Sequence, residues 1–245
     1  MKIAGSVVLI TGGVKRIGRV ISLQLASRGA TLILHFHRSQ KEATVLKKQI
    51  EKKFRTKVHL LRGDLREFSQ VRRLAEQAWK ITKRLDVLIN NASTFFPTSL
   101  GEVSEAQWED LFQVNARAPF FLSEYLGKKM KDRGKGKIIN IADFYATRPS
   151  SNFIPYCASK ASLLAITQGM AKALAPEVQV NAILPGPILW PEGVGEKGKK
   201  DIIQKTPLGR IGKPEDIAGA VRYLIEDADY VTGSQLMIDG GRNIF

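Results

Sequence analysis

The chain has 245 residues, of which 44% are hydrophobic and 25% charged, and its net charge is +15. This is the composition of a globular protein, and because α/β folds of this length often form one unit, we expect a single domain over residues 1–245. The one cysteine excludes an intrachain disulfide, and no apolar run is long enough for a membrane span or a signal-peptide core, so the cytoplasm is the expected location.

Short apolar runs alternate with amphipathic stretches along the chain, which predicts strands alternating with helices. In chain order the predicted elements are strand Ser6–Thr11, helix Lys15–Arg28, strand Thr31–Phe36, helix Ser39–Phe54, strand Lys57–Leu61, helix Glu67–Lys83, strand Leu85–Ile89, helices Ser104–Val114 and Ala116–Asp132, strand Lys137–Ile141, helix Tyr156–Ala175, strand Val178–Leu184, helix Pro214–Ile225 and strand Gln235–Ile238. This succession indicates a Rossmann-type α/β fold, a doubly wound sheet of seven mainly parallel strands with helices on both faces. The Gly-, Pro- and Lys-rich stretch 185–207 is interpreted as a substrate-side loop.

A glycine-rich turn, Thr11-Gly-Gly-Val-Lys-Arg-Ile-Gly18, joins the first predicted strand to the first helix. Glycines let the backbone turn tightly and let a pyrophosphate approach the N–H groups at the helix N-terminus. Any tight connection from strand to helix can also use glycine. Because this turn follows the first strand of an alternating chain, it predicts a dinucleotide-binding site.

The end of the second predicted strand indicates which dinucleotide binds. NAD-binding folds place Asp or Glu about twenty residues after the glycines, on the ribose 2′-hydroxyl, whereas this strand ends in His35-Phe-His-Arg-Ser39, with no carboxylate. Arg38 could be an ordinary solvated charge, but a guanidinium beside a hydroxyl suits a 2′-phosphate. Lys15 and Arg16 are near enough in such a fold to help, so NADP(H) is the expected cofactor.

Tyr156 and Lys160 are four residues apart at the start of a predicted helix, so their side chains share one face. The pKa of a free phenol is about 10. We expect the ammonium and the helix N-terminus to lower the pKa of Tyr156 towards the range useful for acid–base catalysis. Because Tyr-x-x-x-Lys also occurs by chance on helices, the pair alone leaves a surface role open.

Together these motifs resemble the short-chain dehydrogenase/reductase family over nearly the whole chain. Further matching strings are Gly63-Asp64-Leu65, Asn90-Asn91-Ala92-Ser93, Asn115, Asn181, Pro185-Gly186 and Asp239-Gly240-Gly241. The resemblance implies that Asp64 contacts the adenine, that Lys160 holds the nicotinamide ribose, and that Asn115 supports Lys160 through a water. It implies cofactor contacts from Gly12, Lys15, Arg16, Ile17, His37, Arg38, Ser39, Asp64, Leu65, Asn91, Ala92, Ser93, Lys160, Pro185 and Gly186. It also implies a homotetramer built on the helices around 116–132 and 156–175.

Two positions depart from the general family pattern. Arg16 replaces the third glycine of the turn, and Asp143 stands thirteen residues before Tyr156, where the family usually has a serine that polarises a substrate carbonyl. An ionised carboxylate would repel a developing alkoxide. Protonated, or relayed through water, the same group can hand a proton to a ring nitrogen. The residue at position 143 therefore favours reduction of a C=N bond over reduction of a ketone.

This combination resembles the pteridine reductases and the related bacterial dihydromonapterin reductases. The matching strings are Gly13-Val-Lys-Arg-Ile-Gly18, His35-Phe-His-Arg-Ser39, Asn91-Ala-Ser-Thr-Phe-Phe-Pro97, Leu184-Pro-Gly-Pro-Ile-Leu-Trp-Pro191 and Asp239-Gly-Gly-Arg242. The resemblance implies that Arg16, Ser93 and Phe95 contact a pterin lying between the nicotinamide and an aromatic ring. Trp190, which follows a strand end, is expected to line the same site as Asp143 and Tyr156. The hypothesis is hydride transfer from NADPH to a pterin ring carbon, with Tyr156 or Asp143 protonating the adjacent nitrogen.

Other interpretations stay open. A carbonyl or acyl-carrier-thioester reductase of the same family is disfavoured by Asp143. A non-catalytic NADP-binding or nucleic-acid-binding protein is disfavoured by the intact catalytic residues. The basic residues are spread along predicted helices with few aromatics among them, which is typical of a solvated surface, so we expect no nucleic-acid or membrane partner. His35, His37 and His59 do not form a metal-ligand pattern, and no metal is expected.

Overall fold

Parallel strands form one sheet at the centre of the molecule. The computed structural model describes residues 1–190 and 193–244, and within them the strands are β1 (Val7–Ile10), β2 (Thr31–Phe36), β3 (Val58–Arg62), β4 (Val87–Asn90), β5 (Gly136–Ile141), β6 (Val178–Pro185) and β7 (Gln235–Ile238). They lie in the order β3-β2-β1-β4-β5-β6-β7, and each neighbouring pair is parallel. The predicted seven-stranded, doubly wound sheet is confirmed.

Helices cover both faces of this sheet. In the same residues they are α1 (Arg16–Ser27), α2 (Gln40–Phe54), α3 (Phe68–Thr82), α4 (Glu105–Phe112), α5 (Ala118–Asp132), α6 (Ile154–Leu174), α7 (Glu196–Gln204) and α8 (Pro214–Glu226). Successive strand residues point to opposite faces. Val8 and Ile10 therefore pack with α1, α2 and α8, whereas Leu9 packs with α3, α5 and α6. None of the described helices is long and apolar enough to cross a membrane.

The predicted helices 104–114 and 116–132 form one continuous helical segment. Between α4 and α5, Gln113–Arg117 make a turn of π-helix in place of the expected break. A π-turn accommodates an extra residue without ending the helix, and such turns occur frequently at functional sites. Asn115 lies at the middle of this turn and is completely buried.

The 185–207 stretch, interpreted as an irregular loop, contains the helix α7. None of the side chains of α7 is buried. The sequence of α7 therefore lacks the apolar periodicity by which a helix is recognised. Pro191, part of the string 184–191, lies outside the described residues. A smaller difference concerns α6, which begins at Ile154 and thus places Tyr156 in its first turn instead of at its start.

The position of the candidate site follows from this topology. The chain runs outwards from β1 to β2 and β3, and then returns to the other side of β1 to form β4. Where the direction of winding reverses, the connections after β1 and β4 leave the sheet on opposite faces and open a crevice at the carboxyl ends of the strands. The predicted site residues follow the ends of β1, β2, β3, β4, β5 and β6.

Candidate active site

The glycine turn after β1 is fixed to the end of β4 by direct hydrogen bonds. The Asn91 side-chain amide donates to the carbonyl oxygens of Thr11 and Gly12 at 2.9 and 3.1 Å. The Thr11 hydroxyl accepts from the backbone N–H groups of Asn91 and Ala92 at 2.9 and 3.0 Å. A Cβ at Gly18 would lie 2.2 Å from the Gly12 carbonyl oxygen, so only glycine allows this close packing. Thr11 was not predicted as a site residue, although it is the first residue of the motif.

Arg16 adopts a positive φ of 49°. This left-handed region favours glycine, which explains why a glycine is usual at this position in related sequences. The turn places Ile17 at the N-terminus of α1, where first-turn N–H groups lack partners inside the helix. Lys15 is engaged elsewhere in this structure, since its Nζ lies 2.6 Å from Oε1 of Glu42. Glu42 is therefore a neighbour of the predicted phosphate site that the sequence did not reveal.

A cleft of about 370 Å³ opens beside the turn. It brings together most of the predicted cofactor-binding residues, namely Gly12, Lys15, His37, Arg38, Ser39, Asp64, Leu65, Ala92 and Ser93. Arg66, which was not predicted, also lines it and holds the Asp64 carboxylate through its Nε and Nη2 at 3.0 and 2.7 Å. The Arg66 guanidinium lowers the pKa of Asp64 to about 2. Asp64 is thus held as an anion at the end of the cleft where the adenine is predicted to lie.

Asp143, just after β5, lies against Tyr156 and Lys160 near the N-terminus of α6; Asp143 is partly exposed, whereas Tyr156 and Lys160 are buried. The Tyr156 hydroxyl donates to Oδ2 of Asp143 at 2.8 Å, and the Tyr145 N–H donates to its Oδ1 at 2.9 Å. Lys160 is 2% exposed, and its Nζ donates to the Ile141 carbonyl oxygen at 3.0 Å. The sequence predicted these three side chains, and the structure brings them together.

The electrostatics of this group differ from the expectation. Burial, reinforced by the neighbouring Asp143 carboxylate, raises the pKa of Tyr156 well above its ordinary value. The prediction that Lys160 lowers this pKa was therefore wrong, because the carboxylate contacts the phenol while Nζ lies 5.9 Å from the ring centroid. Burial also raises the pKa of Asp143 to about 6 and lowers that of Lys160 to about 8, against the opposing effect of Asp143. Tyr156 is held as a protonated hydroxyl.

Asn115 fixes the segment after β4 from the π-turn. Its Oδ1 accepts from the Ser93 hydroxyl at 3.0 Å and from the Thr94 N–H at 2.9 Å. Its Nδ2 donates to the Thr94 carbonyl oxygen at 3.0 Å and to the Ser159 hydroxyl at 3.1 Å. These bonds assign the Asn115 side chain to positioning Ser93 beside Tyr156. Its predicted support of Lys160 through a water stays a prediction.

Aromatic rings form a wall next to Tyr156. Phe95, which is 48% exposed, stacks on Phe153 with centroids 4.7 Å apart and meets the Tyr156 ring edge-on at 4.7 Å. Tyr145 extends the wall on the other side of Phe153 at 5.8 Å. Only Phe95 and Tyr156 were predicted here, because Phe153 and Tyr145 belong to no motif.

The segment after β6 forms another side of the site. Pro185 ends the strand, and a Cβ at Gly186 would lie 2.6 Å from Cα of Asp239, so this glycine permits the chain to pass close to the end of β7. Trp190 is 37% exposed, and Nζ of Lys199, on α7, lies 5.8 Å from the centroid of its ring. The structure places Trp190 against α7, and its predicted contact with a substrate stays a prediction.

Comparison with known proteins agrees with this geometry. A family profile described as enoyl-(acyl carrier protein) reductase matches residues 13–243. A 3-oxoacyl-[acyl-carrier-protein] reductase, FabG, of Aquifex aeolicus is 31% identical over 245 residues, covering 98% of both chains. The chain belongs to the short-chain dehydrogenase/reductase family. It is an oxidoreductase of that family, whose members use NAD(H) or NADP(H).

Solved structures of the same family superpose closely. A blue fluorescent protein from a metagenomic library, in complex with NADPH, is 33% identical with a TM-score of 0.91, covering 99% of both chains. FolM alternative dihydrofolate reductase 1 from Brucella canis, complexed with NADP, is 32% identical with a TM-score of 0.90, covering 100% of this chain and 97% of that one. The likeness to these short-chain dehydrogenase/reductases extends through both halves of the fold.

Proposed function

We propose that this short-chain dehydrogenase/reductase uses NADPH to reduce a C=N bond of a pterin ring, converting a dihydropterin to a tetrahydropterin. The observation that carries the proposal is the Asp143 carboxylate, 2.8 Å from the Tyr156 hydroxyl. A carboxylate in this place opposes an alkoxide developing from a ketone, but a protonated carboxyl beside a phenol can supply a proton to a ring nitrogen. The pKa of Asp143, raised to about 6 by burial, keeps that protonated form accessible near neutral pH.

The aromatic wall supports a flat heteroaromatic substrate. Phe95 presents a partly exposed ring beside Tyr156 and is held in place by its stack on Phe153. Aromatic pairs attract each other beyond the area that they bury, so a pterin ring lying along Phe95 would be both bound and oriented. A linear acyl chain would gain less from this fixed ring.

The cleft also fits an adenine dinucleotide carrying a 2′-phosphate. Because Gly12 and Gly18 are in close contact and carry no side chain, the backbone at these two positions is open to a pyrophosphate. Arg38 and Ser39 line the cleft at the end of β2, where an NAD-binding fold would carry a carboxylate. Two structural neighbours are in complex with NADPH or NADP, and one of these is FolM alternative dihydrofolate reductase 1.

In the proposed mechanism the protein supplies orientation and a proton. Bound NADPH supplies a hydride. Tyr156, which burial keeps protonated, donates a proton to the substrate nitrogen. Asp143 in its protonated form returns a proton to Tyr156 across the 2.8 Å hydrogen bond and, being partly exposed, regains its own from solvent. Lys160, which is buried, would hold the nicotinamide ribose. Asn115 fixes Ser93 next to the phenol.

The experiment that tests the proposal is NADPH oxidation by the purified protein. Dihydrobiopterin, dihydromonapterin and dihydrofolate are each compared with a β-ketoacyl thioester at equal concentration. We expect turnover of at least one dihydropterin, with NADPH preferred over NADH. Turnover of the thioester alone would overturn the substrate class while leaving the catalytic roles of Tyr156 and Lys160.

A second candidate, reduction of a 3-oxoacyl thioester, is favoured by the sequence similarity to the FabG reductase of Aquifex aeolicus over 98% of both chains. The same assay decides between the two. Asp143 counts against the thioester, because its ionised form would repel the alkoxide that carbonyl reduction develops.

Arg38→Ala is expected to reduce the preference for NADPH. Losing a guanidinium contact with a phosphate costs about 1.5–3 kcal/mol, so KM for NADPH should rise by about ten- to a hundredfold while KM for NADH stays within about twofold. Steady-state kinetics with both cofactors check this. Arg72→Ala is the matched control, since Arg72 is an exposed arginine on α3. An equal loss for NADH would contradict a 2′-phosphate contact.

A further inference from the structure

We propose that His35 is a positioning residue that sets the distance between the two ends of the cofactor cleft. Its imidazole ties the phosphate-binding turn after β1 to the loop after β3 that carries Asp64. The inference rests on the proposed binding of NADP(H) in this cleft. It gives a role to His35, which begins the string His35-Phe-His-Arg-Ser39 but was not among the predicted cofactor-binding residues.

The contacts are made on both sides of the ring. His35 lies on β2, between β1 and β3, and is 2% exposed. Its Nδ1 accepts from the Gly12 N–H at 3.3 Å, and its Nε2 lies 3.1 Å from the Gly63 carbonyl oxygen. The backbone adds a further connection, since the Gly13 N–H donates to the His35 carbonyl oxygen at 3.2 Å. One side chain thus joins the two connections that border the cleft.

These partners determine the form of the ring. A carbonyl oxygen can only accept, so Nε2 must carry the proton, and an amide N–H can only donate, so Nδ1 must be unprotonated. Only the neutral Nε2–H tautomer makes both bonds. Burial lowers the pKa of His35 to about 4, and among the charged groups that face it, His37 on the same segment lowers this pKa while Asp64 beyond β3 raises it. The imidazole is therefore neutral at every pH at which the enzyme is expected to work.

The hydrogen bonds of His35 to Gly12 and to Gly63 act on different parts of the proposed cofactor site. Gly12 belongs to the turn proposed to hold the pyrophosphate, and Gly63 precedes the Asp64 proposed to contact the adenine. If the ring is removed, the partly buried Gly12 N–H and the buried Gly63 carbonyl lose their partners, and both segments are freed to shift. The reacting groups Asp143 and Tyr156 make no contact with His35, so the loss should fall on cofactor affinity.

Three variants separate the contributions. His35→Asn keeps an acceptor near the Nδ1 position, His35→Gln keeps a donor near the Nε2 position, and His35→Leu keeps neither. We expect the Kd for NADPH, measured by fluorescence titration, to rise about tenfold or more in His35→Leu and less in the other two. KM for NADPH should rise in parallel, with kcat falling by less than about twofold. His59→Leu, on the neighbouring β3, is the control and should bind NADPH as the unmodified protein does.

The tautomer gives a test that does not depend on a variant folding. In long-range ¹H–¹⁵N spectra of the unmodified protein, His35 should show a protonated Nε2 and an unprotonated Nδ1, unchanged from pH 5 to pH 8. Three results would overturn the inference about His35 while leaving the proposed function in place. They are a protonated Nδ1, titration of His35 near pH 6.5, and an NADPH affinity of folded His35→Leu equal to that of the unmodified protein. Absence of NADPH binding by the unmodified protein would overturn the proposed function, and with it the role of His35 in binding.

Discussion

Tyr156→Phe is expected to lower the turnover of the pterin substrate by about 10²–10⁴-fold, the usual contribution of a positioned acid–base group. The Tyr156 hydroxyl is the proposed donor, and burial keeps it protonated. Phenylalanine preserves the ring that Phe95 meets edge-on at 4.7 Å, so the wall of the site should survive. The loss should appear in kcat, with the Kd for NADPH within about threefold of that of the unmodified protein.

Stopped-flow single-turnover measurements with preloaded NADPH separate the chemical step from release of product. Tyr223→Phe, which removes a phenol from the surface of α8, is the matched control and should leave the rate unaltered. If Tyr156→Phe retained more than about a third of the rate, Asp143 or a solvent path would have to deliver the proton, and the proposed role of the phenol would be lost.

Asp143→Asn is expected to lower pterin turnover by about a hundredfold or more and to abolish the pH dependence of the unmodified enzyme. Asparagine can still accept a hydrogen bond from Tyr156 but cannot hold a transferable proton. Because the pKa of Asp143 is raised to about 6, the active protonated fraction falls above that pH. In the unmodified enzyme kcat should therefore decline about tenfold per pH unit above pH 6, and this decline should be absent in the variant.

The same substitution should make the protein more stable at alkaline pH. The folded-state pKa of Asp143, about 6, lies above the ordinary 3.8, so the folded protein binds this proton more tightly than the unfolded chain. That stabilisation is complete below about pH 4 and is lost as the pH rises through 6. The shift corresponds to about 3 kcal/mol, so urea denaturation at pH 8 should show Asp143→Asn about 1–3 kcal/mol more stable, with no gain at pH 4.

Either half of this result can fail independently. A pterin turnover that is unchanged in Asp143→Asn would remove the assigned role of the carboxyl. A variant that is inactive yet no more stable at pH 8 would indicate that the pKa of Asp143 is not raised in the folded protein. Glu76→Gln, which neutralises an exposed carboxylate on α3, serves as the control for general charge effects.

Most of the fold could be predicted from the sequence because the five inner strands, β2, β1, β4, β5 and β6, are buried on both faces. Such strands appear as short continuous apolar runs, and the intervening helices show apolar periodicity. The prediction of helices failed where the sequence carries no apolar pattern that marks a helix or its ends. α7 has no buried side chain, and the π-turn at 113–117 keeps the helix continuous through a place where a break was expected.

The candidate site was predictable only where a residue type is tied to a motif. Asp143, Tyr156 and Lys160 carry such a signal. Arg66 does not, because its pairing with Asp64 depends on how the loop after β3 folds back. The pKa of Tyr156 was mispredicted for a similar reason, since its sign depends on a burial and a hydrogen bond that residue spacing does not reveal.

The exposure of α7 bears on how this protein could change over evolutionary time. A helix without buried side chains contributes little to the hydrophobic core, so most substitutions along it should be nearly neutral for folding. The glycine turn has no such freedom, because a single methyl group at Gly18 would collide with the backbone. The glycine turn beside the cofactor cleft is thus held constant by its packing, while α7 is free to diverge. New substrate preferences can arise along this helix without loss of the scaffold.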